Sequence, residues 1–106
     1  LLLNEVFQNE GLTTYTASNG MEALQIFEEN QLDCILLDIK MPGMDGIEIL
    51  NTIRKTNKYI PVYMMTAYGE QDLIDSAYKL HVEKFFTKPF NIFEVRDAVL
   101  NLLLQK

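Results

Sequence analysis

Residues 34–46, Cys34-Ile35-Leu36-Leu37-Asp38-Ile39-Lys40-Met41-Pro42-Gly43-Met44-Asp45-Gly46, decide how the chain is read. The apolar run from Cys34 to Leu37 ends on a carboxylate. Four consecutive apolar residues are the habit of a strand buried on both faces, as in a parallel sheet. The Pro42-Gly43 and Asp45-Gly46 pairs then turn the chain just past it. Asp38 is thereby carried to the carboxyl end of a buried strand and held beside a stiff loop. In open parallel sheets that edge is where ligands collect. An unpaired buried carboxylate would be costly, so Asp38 asks for partners.

On either side of this strand the chain alternates helix and strand, with no repeat, linker or low-complexity stretch. Residues 1–10 are helical in character, and Gly11 suits the stop position of that helix. Residues 12–17 (LTTYTA) are β-branched and aromatic and predict a strand. Asn19-Gly20-Met21-Glu22 has capping-box spacing and opens a helix to about residue 30, with Leu24 and Phe27 inward. The 33–38 strand follows. Asp45-Gly46-Ile47-Glu48 repeats the box and starts a helix carrying Ile49, Leu50 and Ile53 to about residue 55. Residues 60–65 (IPVYMM) predict a buried strand ending at Thr66, and a helix follows from about residue 70 to 80. A short strand over 83–86 leads into Thr87-Lys88-Pro89. Asn91-Ile92-Phe93-Glu94 is a third box, opening a helix with Val95, Ala98, Val99 and Leu102 on one face.

Strands alternating with helices at this spacing mean right-handed βαβ units and an α/β parallel sheet. The opening helix has no strand feeding it. The expectation is one domain over 1–106 that lacks its N-terminal strand. Its exposed strand edges would favour domain swapping or another homo-oligomer.

With 106 residues the chain has room for a single core. A net charge of −6 argues against a nucleic-acid surface. No apolar run approaches the roughly 18 residues of a membrane span, and no signal peptide is visible. The expectation is a cytoplasmic protein with no membrane or nucleic-acid partner. Cys34 is the single cysteine, so no internal disulfide and no thiolate cluster is expected, and its thiol reads as core.

Three predicted strands end on polar residues of different kinds: Asp38, Thr66 and Lys88. In a parallel sheet of neighbouring strands these ends share one edge. A carboxylate can act as a nucleophile towards phosphorus and form an acyl phosphate. The arriving group carries charge on its oxygens, which an ammonium and a hydroxyl donor can stabilise. Small Ala67, next to Thr66, leaves the approach open. Lys88-Pro89 sits at a tight strand-to-helix turn that would accommodate a cis peptide and aim Lys88 inward.

LLDIKMPGMDG (36–46), MTAYGE (65–70) and FTKPF (86–90), in this order and spacing, resemble the receiver domain of two-component response regulators. The resemblance runs over all 106 residues. NEVF (4–7), GIEIL (46–50) and FEVRDAV (93–99) are similar in wording to the single-domain receivers of sporulation phosphorelays. The resemblance implies a flavodoxin-like, doubly wound five-stranded parallel sheet in the order 2-1-3-4-5. It makes Asp38 the phosphoacceptor, loaded from the phosphohistidine of a sensor histidine kinase or histidine phosphotransferase. Thr66 would hydrogen-bond the phosphoryl group and Lys88 would pair with it. The backbone carbonyl of Lys40 would join Asp38 as a Mg²⁺ ligand, and the switch aromatic falls at Phe85. Receivers also place an acidic pair after their first strand. That strand, the central one, and its pair precede the region this chain covers, so Mg²⁺ would bind weakly or not at all.

Other readings stand beside these. Taken alone, Asp38 caps a strand, Thr66 forms a turn and Lys88 is a solvated lysine. Phe85 reads equally as core, having no hydroxyl to follow Thr66. His81, the single histidine, lies at a predicted helix end, where exposure or the dipole accounts for it. Asp45 caps a helix, and Glu70 and Asp72 sit in a first turn. Met64 and Met65 read as core filler or as softening for a strand end. A dehalogenase-type phosphatase would need a second aspartate where Lys40 stands, and a cap domain. A receiver without its metal site, acting as a protein-binding scaffold, is the alternative function.

Overall fold

The computed structural model describes residues 2–38, 46–66 and 71–104. In chain order the elements are α1 (Leu2–Asn9), α2 (Gly20–Glu29), β1 (Ile35–Asp38), α3 (Gly46–Thr56), β2 (Val62–Thr66), α4 (Gln71–Tyr78), β3 (Lys84–Thr87) and α5 (Ile92–Leu104). They form two units, one over Ala17–Lys88 and one from the segments on either side of it.

The Ala17–Lys88 unit holds the sheet. Its strands are parallel in the order β1-β2-β3, the sequence of the last three strands in the implied five-stranded arrangement. Leu37, Met64 and Phe85 are in register across the three strands, as are Asp38, Met65 and Phe86. Side chains alternate between faces along a strand. On one face Leu37, Val62 and Met64 join Ile49, Leu50 and Ile53 of α3 and Ala77 of α4 in a single core, flanked by Leu24 and Phe27 of α2. Ile49, Leu50, Val62 and Met64 are wholly buried, each contributing about 1.5–3 kcal/mol by leaving water.

The continuous apolar run of 34–37 predicted burial on both faces of β1. That burial belongs to β2, whose Val62, Tyr63 and Met64 are all buried, while in β1 only Leu37 is. Within the described sheet β2 is the middle strand and β1 an edge, so burial follows position and not apolarity. Strand limits also move. The ladder starts at Val62 because Pro61 has a carbonyl to offer but no N–H. Ile35 donates to that Pro61 carbonyl at 3.0 Å, which fixes the start of β1 and leaves Cys34 half-buried just outside it. The third strand is shifted to Lys84–Thr87, although the Glu83 N–H already donates to the Val62 carbonyl at 2.8 Å.

Residues 12–17 are not a strand. Leu12 and Thr14 are half-buried and Thr13 and Tyr15 exposed, the alternation that the composition predicts. A strand also needs a neighbour to complete its ladder, and none of the described strands pairs with this segment.

Helix ends follow local chemistry. At α2 the Asn19 carboxamide oxygen accepts the Glu22 N–H at 2.9 Å. The Glu22 carboxylate reaches back to the Ser18 N–H at 3.2 Å, one residue beyond the expected partner. Asp45, the predicted cap of α3, lies outside the described residues, as does Glu70; Asp72 is in the first turn of α4. α4 stops at Tyr78, short of the predicted 80, and the turn after it puts His81 at φ 61°.

In the second unit α1 and α5 pack together, with Phe7, Val95 and Val99 buried. Gly11 closes α1 as predicted. At φ 82° its N–H reaches the Gln8 carbonyl (3.0 Å) and the Leu12 N–H that of Phe7 (3.1 Å), the paired bonds of a Schellman stop. Asn91 caps α5 through its side chain, which accepts the Phe93 N–H at 2.8 Å.

Candidate functional site

Asp38 is the last residue of β1, Thr66 the last of β2, and Lys88 follows the end of β3. Because the strands are parallel and adjacent, all three ends fall on the carboxyl edge of the sheet. β1 and β3 are not neighbours. Two strand spacings, roughly 9.6 Å, separate them. The Lys88 side chain spans that distance across the end of β2, and its Nζ donates to Asp38 Oδ2 at 2.6 Å. Lys88 is tied to the middle strand as well, its backbone N–H donating to the Thr66 carbonyl at 2.6 Å.

The ion pair is open to water, with the Lys88 and Asp38 side chains 43% and 33% exposed. Pairs of this exposure contribute about 0–1 kcal/mol to stability. The fold does not depend on it, and the Lys88 ammonium can turn to an incoming anion at little cost.

Thr66 is different in kind. It is wholly buried, and its Oγ1 has no hydrogen-bond partner among the described residues. Alternation puts its side chain in phase with Val62 and Met64, on the core face, with Asp38 in the other phase. An orphaned buried hydroxyl costs about 1–3 kcal/mol. Polar groups left unsatisfied in this way call for a functional reason. Thr66 closes β2 at the edge of the sheet where β1 ends on Asp38.

Of the other predicted site residues, Ala67 and the Lys40 carbonyl lie outside the described residues. Phe85 is half-buried against the core and packs edge-on to Tyr78 of α4, ring centroids 4.8 Å apart at 64°. It thus couples β3 to α4. As for Mg²⁺, no group of three or more His, Cys, Asp or Glu side chains among the described residues could hold a metal. Asp38 alone is not a donor set for an ion that wants near-octahedral oxygen, so no step here is routed through the metal.

A residue that the sequence reading passed over is Arg54. It is nearly buried, at 9% exposure, and hydrogen-bonds four backbone carbonyls: Leu80 (2.8 Å), Ile60 (2.8 Å), His81 (3.1 Å) and Asn57 (3.3 Å). A signal was present. Position 54 continues the inner stripe of α3 set by Ile49, Leu50 and Ile53, so a cation there has to find acceptors inside.

The fold and this edge define a class. Residues 1–100 match the family model of the response regulator receiver domain, and the chain belongs to that family. Among individual proteins, it is 50% identical over 103 residues to sporulation initiation phosphotransferase F of Bacillus subtilis, covering 97% of this chain and 83% of the relative. It is 36% identical to the regulatory protein AtoC of Escherichia coli, of which it spans only 22%. In three dimensions the receiver domain of the Francisella response regulator 1452 superposes with a TM-score of 0.87 at 32% identity, over 98% of this chain and 86% of that one. The response regulator TrrA of Thermotoga maritima, in complex with Mg²⁺-BeF, gives 0.82 at 37% identity, over 95% and 86%.

Proposed function

We propose that this chain is a phosphoacceptor in a two-component phosphorelay, taking a phosphoryl group onto Asp38. The observation that carries the reading is the Asp38–Lys88 ion pair at the sheet edge where β2 ends on Thr66, whose buried hydroxyl has no hydrogen-bond partner among the described residues. In the transfer, an Asp38 carboxylate oxygen attacks the phosphorus of a phosphohistidine. The P–N bond breaks, and the imidazole nitrogen keeps the electron pair and takes up a proton. Lys88, already within reach of Asp38, holds the negative charge that develops on the phosphoryl oxygens. Thr66 gains the hydrogen bond that its hydroxyl lacks. That gain is the differential interaction by which phosphorylation would favour a shifted position of the β2 end.

The donor would be a sensor histidine kinase or a histidine phosphotransferase. The name of the Bacillus relative, a phosphotransferase of sporulation initiation, supports the relay over a terminal response. The TrrA complex supports Mg²⁺ as the metal of this family. Asp38 and the Lys40 carbonyl are its candidate ligands here. Incubation with a small phosphoryl donor and Mg²⁺, followed by intact-mass measurement, tests the reading. One base-labile phosphoryl group is expected, and Asp38→Asn should abolish it. An adduct that survives Asp38→Asn would reject Asp38 as the acceptor.

A further inference from the structure

The amino edge of the sheet, away from Asp38, collects positive charge. Arg54, Lys55, Lys58, Lys79 and Lys84 are five of the nine basic residues of the chain. All five stand where α3 and α4 hand over to β2 and β3. The buried Arg54 draws the two connections together. Its guanidinium donates to the Asn57 and Ile60 carbonyls of one and to the Leu80 and His81 carbonyls of the other. Lys84 lies over the Phe86 ring, its Nζ 5.1 Å from the centroid. Lys55, Lys58 and Lys79 are exposed, and among the described residues none of them forms an ion pair. Beside Lys58 stands Tyr59, 90% exposed. A loose loop is not the cause. The Asn57 side-chain oxygen accepts the N–H groups of Tyr59 (3.0 Å) and Ile60 (2.9 Å), and the Asn57 N–H donates to the Ile53 carbonyl at 2.8 Å. A single exposed aromatic needs no explanation. This one is held on a fixed backbone among unpaired ammonium groups, so little ordering of the chain is left to oppose binding.

We propose that this face docks a short acidic segment of a partner protein, which sets carboxylates against Lys55, Lys58 and Lys79 and an aromatic or apolar side chain against the Tyr59 ring. The sign of the partner follows from charge complementarity, and Tyr is a residue that interfaces favour. Its small size follows from the surroundings. Asp33 and Glu83 belong to the same edge, and the chain as a whole carries a net charge of −6. The positive field therefore acts over about one Debye length, roughly 8–10 Å. A nucleic acid or an anionic membrane would extend its charge past that range onto repelling carboxylates, whereas a peptide segment fits within it. Along β2 (Val62–Thr66) the face lies on the order of 15 Å from the carboxyl edge. Docking thus leaves the Asp38 edge open, and the proposal does not rest on the phosphoacceptor reading.

The peptide acetyl-Glu-Glu-Trp-Glu-Glu-amide is the probe. The chain holds no tryptophan, so the indole fluorescence reports the peptide alone. Titration with the whole chain should give saturable binding with Kd below about 1 mM. Tyr59→Ala and Lys58→Glu should each weaken it at least roughly tenfold, as should salt raised to about 0.5 M. Both substitutions fall on exposed side chains and should leave the thermal midpoint where it is. Backbone NMR shift changes on titration should concentrate over residues 54–60 and 79–84. The proposal is overturned if the peptide does not saturate, if Tyr59→Ala binds it equally, or if the shift changes centre elsewhere. Equal binding of the peptide with lysines in place of the glutamates would overturn it too. So would tighter binding at these residues of a single-stranded oligonucleotide or of phosphatidylglycerol vesicles, which would make the face a polyanion surface. Sedimentation showing two copies of the chain joined through Tyr59 would give the face a different occupant and reject the proposal.

Discussion

At the scale of single residues, Thr66 and Lys88 separate stability from function in opposite ways. The Thr66 hydroxyl is buried without a partner among the described residues, so Thr66→Val, nearly equal in shape, removes a group the folded state holds at a loss. We expect the variant to be more stable by about 1–2 kcal/mol in denaturant melts and to accept or retain the phosphoryl group poorly. A variant both weaker in stability and unimpaired in phosphorylation would contradict the role given to the hydroxyl. Lys88→Met should shift stability by less than about 1 kcal/mol, because the pair it breaks is exposed, yet cut the initial rate of phosphorylation at least roughly tenfold. Comparing the two melts with the two labelling rates checks both expectations on the same samples. The three residues of this site were legible in the sequence because each closes an apolar run with a polar group. Arg54 was passed over for the converse reason. A cation inside an apolar stripe reads as an exception to the stripe until its acceptors, carbonyls of Leu80 and His81 on a different element, are in view.

At the scale of elements, every predicted helix formed, and some announce their own ends: Gly11 and Asn19 act through bonds to residues within five positions of themselves. Strands are less self-contained. The stretch 12–17 has the right composition and even the right alternation of exposure, but pairing is a property of two segments, and composition reports on one. The same reason explains why burial on both faces passed from β1 to β2. Tyr63 shows the consequence for β2, the middle strand. Its phenol is buried, which pushes its pKa above the ordinary tyrosine value, with Cys34 and Glu83 adding in the same direction. The folded chain therefore keeps this proton at a pH where the unfolded chain has released it. The stability involved is fully present below the ordinary tyrosine range, near pH 10, and is lost as pH rises through it and above. Thermal melts between about pH 9 and pH 11 should show a steeper fall for the unmodified protein than for Tyr63→Phe. Parallel curves would mean that Tyr63 does not set the alkaline limit.

At the scale of the molecule, positions 38, 66 and 88 are brought to one place by topology alone. Parallel strands joined by helices return the chain to the same edge at each pass, and each pass delivers one side chain: a carboxylate, a hydroxyl, an ammonium. That economy is why three short motifs sufficed to read the family, whose model matches residues 1–100. What the motifs could not convey was how these groups are paired. Lys88 rests on Asp38, and the Thr66 hydroxyl has no hydrogen-bond partner among the described residues. The central claim is that this edge receives a phosphoryl group on Asp38. Its most direct measurement is the intact mass of the protein and of Asp38→Asn after exposure to a phosphohistidine donor with Mg²⁺, followed by peptide mapping of any adduct under mildly acidic conditions. The account predicts a single base-labile phosphoryl group on the peptide containing Asp38, absent from the variant. A phosphoryl group mapped to another residue, or none in the unmodified protein, would contradict it.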